Sequence, residues 1–382
     1  MAVYNPLQDD YVRFPPSTRA VTQAIAAIWK EGAEQGVYHL TDQERFWAEL
    51  QPYLLSKGYR LHQRYAPGWE PVWVGTDINP AVFEDSVMLP LPRVIDARRV
   101  SDEKAVAIKW VPHADHTRHE LSVMQLLSSD QLRRDPRNCC NPLLDTFPHP
   151  DQGLGIFLVT PWLTDFTYVP VTTVGEVLDM LLQLTEGLVF MHEHGIAHRD
   201  CTGFNIMQDI TACFPGRRMH PLRPCYSEDM QTTFQPVHNA PRKYWFIDFG
   251  VSCVLDGPGP HLVTGGVCRD QSAPELSVIV PYNPFRLDVY LLGNHFLMEY
   301  LKTYKNLEFL RPLLLEMTRL VPSQRPTAQQ ALQALRRISQ DTSGFQRRWR
   351  LRSRDEDWAD VVIEDGGSLA RELFFQVTSL LV

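Results

Sequence analysis

The chain carries no glycine between Gly75 and Gly153, so no glycine-rich backbone cradle for phosphates can form in that stretch. Nor does it have a CxxC pair: Cys139, Cys140, Cys201, Cys213, Cys225, Cys253 and Cys268 are odd in number and irregular in spacing. That argues against a disulfide scaffold or a cysteine zinc site and fits a reducing compartment. Long apolar runs are missing as well, and the most apolar stretch, residues 287–301, is too short to span a bilayer and contains Asp288, Asn294 and His295. Excess positive charge is absent too. The formal net charge is -8, so no basic field draws the protein to nucleic acid or lipid.

What is present is a globular composition, with 44 % hydrophobic and 21 % charged residues over 382 positions, enough for two or three compact units. Residues 1–85 read as an N-terminal extension, with helices expected over 22–30 and 42–57 and an irregular aromatic stretch, YAPGWEPVWVGTDINP. From 86 to 165 short β-type runs dominate: VMLPL, PRVIDARRV, KAVAIKWV, NPLLDTF and LGIFLVTPWL. A polar helix interrupts them. From 166 to 340 the chain turns helical, and Thr173 with Glu176 forms a capping-box pattern ahead of an apolar stripe at Val177, Leu181, Leu184, Leu188 and Met191. A loop to Glu275 and helices near 286–301, 307–320 and 328–338 follow. An insertion occupies 207–243, and 341–382 form a C-terminal extension. The expected fold class is α+β.

In order along the chain stand Lys109, Glu120, HRDCTGFN (198–205), IDFG (247–250), APE (273–275) and DVYLLG (288–293). This ordered set resembles the motif set of the protein kinase superfamily over residues 86–338. The resemblance implies a bilobal kinase-like fold, a small antiparallel sheet lobe (86–165) and a larger helical lobe (166–340), with both extensions packed on the kinase body. It implies MgATP-dependent phosphoryl transfer to protein hydroxyls, Ser/Thr ahead of Tyr.

Phosphoryl transfer needs positioning and cationic stabilisation of the equatorial oxygens. By the resemblance, Lys109 holds the α and β phosphates, and Glu120, eleven residues on, orients that lysine. Asp200 corresponds to the base that accepts the substrate proton, while Asn205 and Asp248 would hold Mg2+ through hard oxygen donors. Arg199 would meet a phosphate on the activation segment, where Ser252, Thr264 and Ser272 are available. Val94, Ala107 and Met207 would sandwich adenine, with Thr160 as gatekeeper and Pro161 to Leu163 as hinge. Pro161 is tolerated there because only its carbonyl is used, while Leu163 supplies the N–H. Glu275 would pair with Arg325 in a buried ion pair, and Asp288 would tie a central helix to the catalytic loop backbone.

Three positions depart from the pattern. The expected glycine loop falls on 87–92, VMLPLP, where Pro90 and Pro92 have no N–H to give. Thr202 replaces the lysine of Ser/Thr kinases, and Cys268 with Gln271 replaces the usual threonine and tyrosine before APE. A pseudokinase scaffold that binds partner proteins is therefore the main alternative, with a small-molecule phosphotransferase third; the latter class typically shows HGD and lacks APE.

Arg217, Arg218 and Arg223 in the insertion could form a docking surface, although a solvated loop is the simpler expectation. The tail RRWRLRSRDEDWAD reads better as a charge-paired helix packing Trp349 and Trp358 on the body than as a nuclear address or nucleic-acid patch. His113, His116 and His119 read as a solvent-facing helix start rather than a metal site. Together with PGWEPVW, FEDS and CTGFNIM, the insertion and tail make the chain similar to a kinase-like family expanded in mushroom-forming fungi. The expected setting is a cytoplasmic monomer, with a nuclear address as the alternative, and a protein as substrate or partner; neither nucleic acid nor a membrane is expected.

Overall fold

The computed structural model describes residues 22–379, except 72, 74–77, 81–82, 87–90, 114, 212–218, 221–222, 228–241, 256 and 258. The protein is α+β, and the chain divides into two compact units: 1–114 with 143–164 and 210–241, and 115–142 with 165–209 and 242–382. Each has its own logic.

The first unit is an antiparallel sheet of five strands: β1 (Tyr59–Arg60), β2 (Val94–Arg99), β3 (Lys104–Val111), β4 (Asp145–Pro148) and β5 (Ile156–Pro161), in the order β1-β2-β3-β5-β4. Two helices precede it, α1 (Gln23–Glu34) and α2 (Asp42–Ser56). Thr41 caps α2 in a reciprocal box with Glu44, satisfying end donors that would otherwise be orphaned. Trp47, Leu50 and Leu54 recur at helical spacing on one side of α2 and are buried. They close on Ile95, Ala97, Val106, Ile108, Phe157 and Val159 in one core. Strand alternation then fixes the other sheet face. With Ile95 and Ala97 of β2 and Val106 and Ile108 of β3 turned to α2, Val94, Ala107 and Lys109 share the opposite face.

The described residues between 63 and 86 form only short 3-10 turns and irregular chain, as the proline-bearing sequence predicts, and several of them are firmly held. Arg64, 1 % exposed, donates through Nε to Glu44 at 2.7 Å and through Nη1 to the carbonyls of Tyr38 and Asp85, and its guanidinium lies 5.0 Å from the Trp69 ring. Trp73, Ile78 and Phe83 make a separate small cluster.

The second unit is mainly helical: α3 (Asp115–Leu127), α4 (Val174–Glu193), α5 (Pro284–His295), α6 (Arg311–Met317), α7 (Ala328–Asp341) and α8 (Trp358–Ser379). The capping box of Thr173 and Glu176 opens α4, whose stripe of Val177, Leu181, Leu184, Leu188 and Met191 is wholly buried. After α5 the chain makes a π-helical turn, Phe296–Leu301. Short antiparallel strand pairs lie between α4 and α5: Ile206–Asp209 with Lys243–Phe246, and Ile196–Ala197 with Cys253–Val254. Val263–Gly265 with Ser277–Tyr282 adds strand pairing on both sides of APE, where the sequence suggested only a loop. In the insertion, which belongs to the first unit, Met219–His220 pairs with Arg223–Ser227; Arg217 and Arg218 lie outside the described residues.

The tail corrects one expectation and matches another. Trp358 stands 81 % exposed rather than packed. The arginines are charge-paired: Arg347 with Asp179, Arg348 with Glu372, Arg350 with Glu356 and Asp365, and Arg354 with Glu308. No helix among the described residues is long and apolar enough to cross a membrane.

Candidate active site

In the helical unit, the segment 198–205 is fixed from below by Asp288 on α5. Asp288 is fully buried, and its carboxylate accepts the backbone N–H of His198 at 2.9 Å and of Arg199 at 2.6 Å, while Nε2 of His192 lies 3.0 Å away. A buried carboxylate is tolerable because these donors replace its water. His198 is itself buried, with Nε2 3.0 Å from the Ile247 carbonyl and its ring 5.0 Å from that of Phe249. The segments 198–205 and 247–250 are therefore one packed element.

Its backbone is strained where the polar groups converge. Arg199 has φ of 67° and Asp248 of 60°, left-handed values that cost a non-glycine residue about 1–3 kcal/mol and persist only where surrounding bonds hold them. Asp200 follows at once. One of its carboxylate oxygens accepts from Nδ2 of Asn205 at 2.8 Å, and the other accepts the backbone N–H of Arg269 at 2.9 Å. The carboxylate is thus aimed from two sides. Because the Asn205 amide spends its nitrogen on Asp200, its oxygen remains the end suited to a cation.

Glu120 of α3 is not a solvated helix charge. It is 4 % exposed, and its carboxylate lies beside the Asp248 turn, 3.6 Å from where a Cβ on Gly250 would stand. The neighbouring His119 is also partly buried, with Nε2 2.5 Å from the Ser252 carbonyl. This corrects the solvent-facing expectation for that histidine; His113 is exposed, and the His116 side chain lies outside the described residues. Among the described residues no cluster of three His, Cys, Asp or Glu side chains has metal-binding geometry.

Arg199 meets backbone and a phenol: it donates to the carbonyls of Val251 at 3.2 Å and Thr264 at 3.0 Å and to the hydroxyl of Tyr282 at 2.9 Å. Of the three candidate hydroxyls nearby, Ser252 is buried and donates to the His198 carbonyl, and Ser272 lies 3.2 Å from the Tyr290 hydroxyl and accepts from Asn294. Thr264 and Ser272 are exposed, and of the two only Ser272 has its hydroxyl tied to neighbouring side chains. Glu275 and Arg325 form a forked ion pair, with Nη2 to Oε2 at 2.8 Å and the arginine 2 % exposed, and the guanidinium lies 4.5 Å from the Tyr290 ring. This anchors the segment that ends at APE. Cys268 donates to the Asp270 carbonyl at 2.8 Å, and burial, with Asp200 and Asp270 adding negative charge, pushes its thiol up to about 12, so it is no nucleophile at neutral pH.

In the sheet unit, Lys109 lies opposite Val94 on β2 and Leu158 on β5, and Ala107 opposite Thr160. Val94, Ala107, Lys109 and Thr160 therefore share one face. Pro161 ends β5, and the N–H of Trp162 is taken by the Ala105 carbonyl at 3.2 Å, which leaves Leu163 as the next residue able to donate. Met207 belongs to the helical unit, opposite Trp245. Residues 87–90 of the expected lid lie outside the described residues.

Sequence reasoning missed Arg269, whose backbone holds Asp200, Tyr282, which holds Arg199, and His295, whose ring lies against Gly203. The first two are 69 and 83 residues from their partners, and no local pattern links them. Neither a scan of protein-family models nor a search of curated proteins returns a match for this chain.

Proposed function

We propose that the chain is a bilobal protein kinase that transfers the γ-phosphoryl group of MgATP to serine or threonine hydroxyls of proteins. One arrangement carries this reading: the Asp200 carboxylate, oriented by Asn205 and by the Arg269 backbone, beside the strained Asp248 turn, all tied down through Asp288. Catalysis of this kind asks for a positioned base and fixed hard-oxygen donors rather than covalent chemistry by the protein.

The donor set suits magnesium, which takes one or two protein oxygens and fills its remaining positions with water and phosphate. The Asn205 amide oxygen and the Asp248 carboxylate fill that role. When bound, MgATP supplies the electrophilic phosphoryl group and the charge that neutralises its oxygens. On this reading Asp200 would orient the acceptor hydroxyl and take its proton, Lys109 would hold the phosphates, and Val94, Ala107, Met207 and the hinge at Thr160, Pro161 and Leu163 would be the residues for the adenine. Arg199, held through its two terminal nitrogens by carbonyls and Tyr282, keeps the activation segment in place without a phosphate.

A second reading, a partner-binding scaffold without catalysis, is favoured by one observation: the absence of glycine from 76 to 152. Calorimetric titration separates the two. MgATP should bind, with the magnesium dependence lost in Asp248→Asn and the nucleotide lost in Lys109→Met; a chain that binds no nucleotide yet keeps its partner in Asp200→Asn is a scaffold.

A further inference from the structure

Against the 198–205 segment lies a cavity of about 550 Å3 built wholly from the helical unit. Its lining includes the rings of Phe166, Phe204, Tyr300 and Tyr304, together with Thr202 and His295. Two buried polar atoms there have no hydrogen-bond partner: Oγ1 of Thr202, a residue 7 % exposed, and Nε2 of His295. Orphaned buried polar atoms are uncommon in folded proteins and mark places where a ligand or water completes the structure. Gly203 is part of the construction, since a Cβ there would stand 2.7 Å from Cε1 of His295. Only glycine lets the imidazole press against the loop. Burial pushes the His295 pKa down to about 4, so at neutral pH the ring is uncharged and offers one donor and one acceptor nitrogen.

The cavity begins at Thr202, two residues from Asp200, and Arg269, whose N–H holds the Asp200 carboxylate, lines it. Two residues of extended chain span at most about 7 Å. Whatever fills the cavity therefore sits close to the acceptor hydroxyl. Aromatic lining favours a flat ring, and a hydroxyl on that ring supplies both a donor and an acceptor, which are what the two orphans lack.

We propose that this cavity recognises a tyrosine side chain of the protein substrate two or three positions from the hydroxyl that is phosphorylated, a reading that rests on the phosphotransferase assignment. Phenylalanine fills the same space but leaves both polar atoms unpaired, so the site prefers tyrosine by about ten-fold.

The test uses serine-acceptor peptides carrying tyrosine, phenylalanine or alanine at each position from four before to four after the serine. Phosphorylation by the full chain with MgATP gives kcat/KM for each. A fluorescent tyrosine peptide measured by anisotropy without ATP gives binding alone. The expected result is one position, two or three from the serine, where tyrosine exceeds alanine by well over ten-fold and phenylalanine falls between. Met298→Trp, which fills the cavity from its exposed rim, should bring the tyrosine-to-alanine ratio near one. His295→Phe should bring tyrosine and phenylalanine level.

Phosphorylation without positional preference, or with a preference that neither variant alters, overturns the pocket and leaves the phosphotransferase reading standing. Tyrosine-peptide binding that Met298→Trp removes, with no phosphate transferred, supports the pocket and overturns the phosphotransferase reading instead.

Discussion

The two flanks of the chain are attached by opposite physics. Helix α2 presents Trp47, Leu50 and Leu54 to a sheet and becomes core. Helix α8 turns its polar side inward: Ser368 and Glu372 are its buried residues, Arg348 meets Glu372 at 2.7 Å and Arg350 meets Asp365 at 2.6 Å. Meanwhile Trp358, Val362, Leu369, Leu373 and Val377 are 49–81 % exposed. The lesson is one of magnitude. Burying one large apolar side chain stabilises by about 1.5–3 kcal/mol, whereas a solvent-accessible ion pair contributes about 0–1 kcal/mol and is screened by salt. An extension fixed by apolar burial is part of the fold; one fixed by charge is a strap.

The largest effects should follow from breaking α2. Trp47→Ala should cost about 3–5 kcal/mol through transfer and cavity terms, and Arg64→Ala a similar amount, about 3–5 kcal/mol, because it strands buried Glu44. Denaturant unfolding measures both, and a loss below about 1 kcal/mol in either would mean α2 is not core. The next effect is on the strap: 1 M salt should speed amide exchange over residues 358–379 several-fold while 42–56 stay protected. Equal protection of the two would erase the distinction.

Acid should act on the same contact. Arg348 holds the Glu372 carboxyl down to about 2, against 4.5 for the free side chain. A depressed pKa contributes stability that is complete above the unfolded value and is lost as pH falls towards the folded one. Exchange across α8 should therefore rise between about pH 4.5 and pH 2, and Glu372→Gln should flatten that rise. The smallest effect is expected at Trp358, where substitution by alanine should change stability by less than about 0.5 kcal/mol; a larger loss would mean the ring is buried in solution.

Much of the first comparison was legible in the sequence. Thr173 with Glu176 announced α4, and the β-type run KAVAIKWV announced β3, because caps and strand composition are local signals. Trp358 was misjudged because an aromatic residue amid charges was read as an anchor, while the arginines around it hold the helix by its polar side. Glu44 with Arg64 escaped notice: twenty residues apart, they meet only after the irregular segment folds back. The same division runs through the site. Asp200, Asn205, Asp248 and Asp288 could be named from HRD, DFG and DVYLLG, yet the burial of Glu120 and the orphaned atoms of Thr202 and His295 depend on packing that no spacing encodes.

The central claim is that Asp200 sits in a working phosphoryl-transfer site despite the missing glycines and the threonine at 202. Transfer of labelled γ-phosphate from MgATP to generic protein substrates and to the chain itself, with wild type beside Asp200→Asn and Lys109→Met, tests it most directly. The account predicts label in the wild type and a loss of at least about a hundred-fold in each variant, the scale expected for removing a general base. No label in any of the three, or equal label in wild type and Asp200→Asn, would contradict it.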